Sequence, residues 1–126
     1  MKLLIDTHLP LWGIGGDRRL SPAARRLIES PENDSFVSVA SLWEIAIKMR
    51  LGKLSAPDNL PDAIAGSPDF GLLDVTVDHV WSVRTLPLHH TDPFDRLLIV
   101  QAAAEGMTLL GHDRRMALYD APLILV

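Results

Sequence analysis

Apolar residues in this chain fall into short continuous runs, separated by stretches in which apolar positions recur at helical spacing. The run KLLID at 2–6 has no polar alternation, as a strand covered on both faces requires. SPAARRLIES at 21–30 opens with Ser21 in an N-cap position and Pro22 at the first helical position, which predicts a helix. SFVSV at 35–39 predicts a second strand, followed by a helix over ASLWEIAIKMRL that stops at Gly52. Pro57, Pro61 and Pro68 leave room for only a short helix between 56 and 71. LLDVTV at 72–77 predicts a third strand, with Asp78 capping a helix that ends near Thr85. Pro93 starts a helix reaching Gly106, TLLGH at 108–112 is a fourth strand, RRMALY a short helix and PLILV a terminal strand. This alternation predicts an α/β three-layer sandwich around a mostly parallel sheet of about five strands. In such a sheet, function gathers at the carboxyl ends of the strands, near the point where strand order reverses.

The bulk properties narrow the setting. The 126 residues match the size of one domain, expected to span 1–126, and with 48% apolar residues the chain can build a core without covalent staples. It has no cysteine, so disulfides and thiolate metal sites are excluded. No apolar run reaches the ~18 residues of a membrane span, and MKLLIDTH meets an aspartate too early for a signal peptide, so a cytoplasmic location is expected. The net charge of −4 gives no global attraction to phosphate. A nucleic-acid partner must then be met by a local basic patch or through a bound cation. The arginine pairs 18–19, 25–26 and 114–115, with Lys48, Arg50 and Lys53 around one helix, are the candidates for such a patch. Trp12, Trp43 and Trp81 are expected in the core, where large aromatics bury most area.

Four acids stand out against their surroundings. Asp6 closes the first strand. Glu44 interrupts a helix that is apolar almost all round, on one narrow stripe with Ser41 and Lys48, so that helix is expected to be largely buried with its stripe on a polar cleft or a sliver of solvent. Asp95 sits at the third position of a helix capped by Asp92, where a capping box would explain it, yet it leads directly into core residues Leu97 to Val100. Asp113 follows the fourth strand and is placed to cap the next helix. Each has a structural explanation: a turn, an ion pair with Lys48, or a cap. Together they share one address if strand order reverses between strands one and four, which would bring Asp6, Asp113 and the start of the Asp95 helix to one edge. Two bare carboxylates ~4 Å apart repel by about 4 kcal/mol at an effective dielectric of 20, so such a cluster needs a neutralising partner. An all-oxygen, cysteine-free set favours Mg²⁺ or Mn²⁺ over Zn²⁺. His89 and His90 are adjacent and diverge, with no partner at zinc spacing, so neither is assigned as a ligand. His8 and His112, within two residues of Asp6 and Asp113, are placed for substrate contact or for support of the acids.

These residues resemble the PIN-domain ribonucleases, and among them the VapC-type toxins of toxin–antitoxin pairs. LLIDTHLPLW is similar to the family's opening strand and first acid, SVASLWEIAIKMRLGKL to its glutamate-bearing helix with trailing basic residues, and HHTDPFDRLLIVQAAAEGMTLLGHD to its third and fourth acids. The resemblance implies Mg²⁺- or Mn²⁺-dependent cleavage of RNA, a homodimer, and inhibition by a cognate antitoxin. It makes Asp6 and Asp95 the main metal ligands, with Glu44 and Asp113 completing the acid pocket and Thr7 and Ser41 at small hydroxyl positions near it. Lys48, Arg50 and Arg114 are expected to meet flanking phosphates. The chain departs from the family at Gly111, where many relatives carry Ser or Thr, which bears on the positioning of Asp113 or of a water. The rival expectations are a catalytically inactive relative that binds RNA or a partner, and an acid-pocket phosphotransfer domain.

Overall fold

Strands β1 (Lys2–Ile5), β2 (Asp34–Ser38), β3 (Phe70–Leu73), β4 (Thr108–Gly111) and β5 (Leu123–Leu125) form one sheet in the order β3-β2-β1-β4-β5. Every pairing is parallel. The structure is a computed structural model that describes residues 1–126. β1 lies in the middle, and this is why KLLID carries no alternation: Leu3 and Ile5 enter the core on one face, and Leu4 enters the core on the other. Helices α1 (His8–Ile14), α2 (Pro22–Glu29) and α4 (Leu60–Ala65) supply Leu9, Ala24, Ile28, Leu60 and Ile64 to the first core. Helix α6 (Pro93–Glu105) brings Leu98, Ile99 and Ala102 to the second, making three layers. No helix is long and apolar enough to cross a membrane.

Strand order reverses between β1 and β4, whose register pairs Ile5 with Leu110. The Asp6 N–H donates to the Leu110 carbonyl at 2.9 Å, carrying the ladder one residue past β1. The two strand ends therefore stop side by side. α6 begins where expected, with the Asp92 side chain accepting from the Phe94 and Asp95 N–H groups, Pro93 in the first turn and Gly106 closing it at φ 65°.

One element was not anticipated, and two expectations need correction. α1 is a helix that its Pro10 and Gly13 concealed. β3 runs from Phe70 to Leu73, not 72–77: Phe70 is buried, while Thr76 leaves the strand to cap α5 (Val77–Ser82). Thr76 accepts from the His79 N–H and donates its own N–H to His79 Nδ1, so Thr76 and not Asp78 is the cap. Helix α3 (Val39–Arg50) is not buried all round. It buries Ser41, Glu44 and Ile45 and turns Val39, Trp43 and Ile47 outward, with Leu51 just beyond its end, so Trp43 (61% exposed) and Trp81 on α5 (64%) lie outside the core.

Candidate active site

Four elements meet at the β1/β4 end of the sheet. Ser38 ends β2 and starts α3 by accepting from the Ala40 N–H, while its hydroxyl donates to the fully buried Gln101 of α6 at 2.6 Å. That contact ties the start of α3 to α6. One turn later, Glu44 accepts from Thr7 Oγ1 at 2.8 Å and from Lys48 Nζ at 2.6 Å, and Ser41 Oγ stands 3.1 Å from the Thr7 hydroxyl. Asp6 follows β1, with its Oδ1 accepting from the Thr7 N–H at 2.6 Å and its Oδ2 lying 3.1 Å from His112 Nδ1. Asp113 follows β4 and is clasped by Arg115, which donates from its backbone N–H, Nε and Nη2.

Asp95 does not close a capping box. Its carboxylate leaves the helix end and Oδ2 takes a 2.7 Å hydrogen bond from His90 Nε2, while Oδ1 has no protein partner. The Asp92 N–H faces His90 Nδ1 at 3.5 Å, which puts the imidazole proton on Nε2. His90 is buried, and its loop is pinned by Arg96: the buried guanidinium donates to the carbonyls of Leu86, Pro87 and His90 and to the Tyr119 hydroxyl. The arginine of DPFDR is thus a structural clasp for the loop that carries the histidine six residues before it.

Asp6, Glu44, Asp92, Asp95 and Asp113, with His8, Lys48, His112 and Arg115, line a cleft of about 170 Å³ that contains no apolar side chain. Five carboxylates (Asp6, Glu44, Asp92, Asp95, Asp113) face two permanent cations, Lys48 and Arg115, a net −3 with histidines neutral. Burial pushes Asp6 upward from its ordinary value, against the opposing pull of His112. Burial likewise pushes Asp95 up to about 6, although the His90 hydrogen bond favours its charged form. Asp113 behaves oppositely, held down at about 2 by the Arg115 hydrogen bond. A larger hollow of about 590 Å³ near Leu86, Ile99 and Leu118 is mostly apolar and holds none of these acids.

The expected residues Asp6, Glu44, Lys48, Asp95 and Asp113 thus converge on one cleft. Arg50 and Arg114 do not line it: both are exposed, and Arg115 occupies the place expected of Arg114 because the turn after Asp113 folds the second arginine back. His90 is the group that sequence reasoning passed over. Its Nε2 and one oxygen each of Asp95 and Asp113 lie within 4.8 Å of one another. The signal was present as HxxxxD across a helix start, but it is not a helical spacing and reads as two unrelated residues. At Gly111, a Cβ would meet Met116 Sδ at 3.3 Å and Asp6 Cβ at 3.5 Å, so a hydroxyl there would bear on Asp6, not on Asp113 as its sequence position suggests.

The donor set suits a hard divalent cation. Carboxylates dominate, and the excess negative charge is not balanced by lysine or arginine.

A family model described as PIN domain matches residues 3–122. Among solved structures, VapBC2 from Rickettsia felis bound to a DNA fragment from its promoter aligns with a TM-score of 0.71 at 15% identity, over 99% of this chain and 98% of that one. DNA-bound VapBC from Salmonella typhimurium aligns at 0.67 and 17% identity, over 98% and 97% of the two chains. VapC20 of Mycobacterium tuberculosis, a toxin that cleaves the sarcin–ricin loop, aligns at 0.65 and 18% identity, over 98% and 99%. At these identities the likeness is one of fold. No curated protein sequence matches the chain.

Proposed function

The chain belongs to the PIN-domain family, and from that membership we propose that it is a cytoplasmic Mg²⁺- or Mn²⁺-dependent endoribonuclease, the toxin of a toxin–antitoxin pair. One observation carries the reading: carboxylates from β1, α3, α6 and the end of β4 converge on a cleft whose charge only a cation balances. Asp6, Asp95 and Asp113 would hold that cation, with Glu44 completing the acid lining of the cleft. When bound, Mg²⁺ or Mn²⁺ acidifies a water, draws a phosphate oxygen into the cleft and offsets charge developing on it.

The chain's own groups do the rest. Asp113, held down at about 2, and Asp95, pushed up only to about 6, both carry charge at neutral pH and present oxygens to the cleft. His90 fixes the rotamer of Asp95 by donating to Oδ2, which turns Oδ1 to the cleft. Glu44 keeps Lys48 at the cleft, and the Asp113 pair keeps Arg115 there, so two cations are held where non-bridging phosphate oxygens would enter. Arg50 and Arg114, exposed outside the cleft, are left for phosphates farther along the strand.

Two partners follow from this reading. The VapBC structures named above contain an antitoxin, and a cognate antitoxin is the partner proposed here. The outward apolar stripe Val39, Trp43, Ile47 and Leu51 supports a homodimer, since exposed apolar patches of this kind mark interaction surfaces. The test is direct: purified protein cuts single-stranded or structured RNA in Mg²⁺ or Mn²⁺, stops in EDTA and resumes when either ion is restored. Cleavage at full rate in EDTA, or none with either ion, rejects the proposal.

A further inference from the structure

Next to the acid cleft lies a second, wider one of about 550 Å³, and the two share His8 and His112 as a common wall. Its chemistry is different. Trp12 lies beside those histidines, its ring centroid 6.0 Å from His8 in a stacked arrangement (19° between planes) and 5.3 Å from His112. Arg19 places its guanidinium 5.2 Å from the Trp12 ring centroid, and Lys53 lines the same cleft. Asp17, the one acid there, is already paired with Arg19 at 2.8 Å.

The local sequence builds this wall on purpose of geometry alone. α1 starts two residues after Asp6, and its i, i+4 spacing sets His8 and Trp12 on one face, while His112 is delivered by the end of β4 immediately before Asp113. Any strand whose phosphate enters the 170 Å³ acid cleft must continue outward, because that volume has no apolar lining for a base. The adjoining cleft supplies rings, a guanidinium plane and one surplus positive charge. Single-stranded nucleic acid is held by this combination, with bases stacked on aromatic or arginine planes and phosphates near cations.

We propose that the His8–Trp12–His112 cleft is a nucleobase subsite, taking an unstacked base of single-stranded RNA one position from the scissile phosphate. The proposal rests on the reading of the acid cleft as the phosphate site, and it assigns base contact to Trp12 and His8, with phosphate contact to Lys53 and Arg19. It deepens that reading by predicting which part of the chain sets nucleotide preference.

The experiment measures binding of a labelled ten-nucleotide RNA to the full chain in EDTA, together with cleavage in Mn²⁺. Trp12→Ala is expected to weaken binding of the intact RNA about ten-fold and to raise KM more than it lowers kcat, while Trp12→Phe restores most of both. An RNA lacking the base next to the scissile bond should bind the parent and Trp12→Ala equally. Lys53→Glu, at an exposed position where folding is not at stake, should weaken binding three-fold or more and flatten its salt dependence. Equal binding of intact RNA by the parent, Trp12→Ala and Lys53→Glu overturns the subsite. So does a Trp12→Ala loss that is the same with and without the base, or a loss confined to an acidic peptide, which would make the cleft a protein groove. Base- and Trp12-dependent binding without any cleavage leaves the subsite standing and removes the nuclease reading instead.

Discussion

The tripeptide Asp-Arg-Arg occurs twice, at 17–19 and at 113–115, and the two copies fold identically. In each, the aspartate accepts from the backbone N–H two residues on, and the second arginine closes a fork onto the same carboxylate through Nε and Nη2. Both carboxylates are held down at about 2, chiefly by that arginine's hydrogen bond. Yet Asp17 sits in the connection after α1 with no acid cluster around it, while Asp113 ends β4 beside β1 and lies 3.7 Å from His90 Nε2. The local sequence fixes the shape and ionisation of the turn. Topology decides whether the turn has chemistry to do.

Mutations in the cleft break the comparison most sharply. Asp6→Asn or Asp95→Asn should lower RNA cleavage by about 10²–10³-fold, the range for removing one group that stabilises developing charge, with the circular dichroism spectrum unchanged. Cleavage that survives in both variants would mean the acids do not act together.

Asp95 also leaves a mark on stability. Its folded pKa of about 6 lies above the ordinary 3.8, so the native state binds the extra proton between those values and the cation-free protein loses stability as pH rises from about 4 to about 6. The Asp95 contribution is at most about 3 kcal/mol, and Asp95→Asn should shrink the loss, leaving the part that comes from the buried Asp6. Urea unfolding in EDTA at pH 4 and pH 7 checks both points; parallel curves for parent and variant would remove the buried-carboxylate account.

Within the pair of tripeptides, Asp113→Asn should cost about 10–100-fold in kcat, whereas Asp17→Asn changes kcat by less than about three-fold. Equal losses would show that the turn, not its place, matters. The smallest effect is spectroscopic. Arg19→Gln and Arg115→Gln should each let the neighbouring aspartate rise from about 2 toward 3.8 in a carboxyl NMR titration, and to a similar extent. A rise at only one would mean that the shared fork is not what sets the two values.

Much of this arrangement is legible in the sequence. KLLID marked a doubly covered strand, Asp92-Pro93 to Gly106 marked α6 at both ends, and the alternation of strands and helices gave a parallel sheet in which Asp6 and Asp113 would meet if strand order reversed between strands one and four, as it does. What escaped has physical reasons. α1 holds Pro10 and Gly13 and runs straight into Gly15 and Gly16, so propensity argued against a helix that tertiary packing of Leu9 imposes. The β-branched run Val75-Thr76-Val77 read as strand, although Thr76 spends its hydroxyl on a cap. The apolar positions of α3 read as core because hydrophobicity reports what a surface can bury, not whether this chain alone buries it. His90 escaped because its link to Asp95 is made by a loop that Arg96 holds, and nothing in the spacing announces that clasp.

The most direct test of the central claim is calorimetric titration of the RNA-free protein with Mn²⁺. The parent should take up the ion, and the Asp6→Asn/Asp95→Asn double variant should bind it at least ten-fold more weakly while remaining folded. Identical affinities in the two proteins would contradict the account, because the converging carboxylates would then hold no cation.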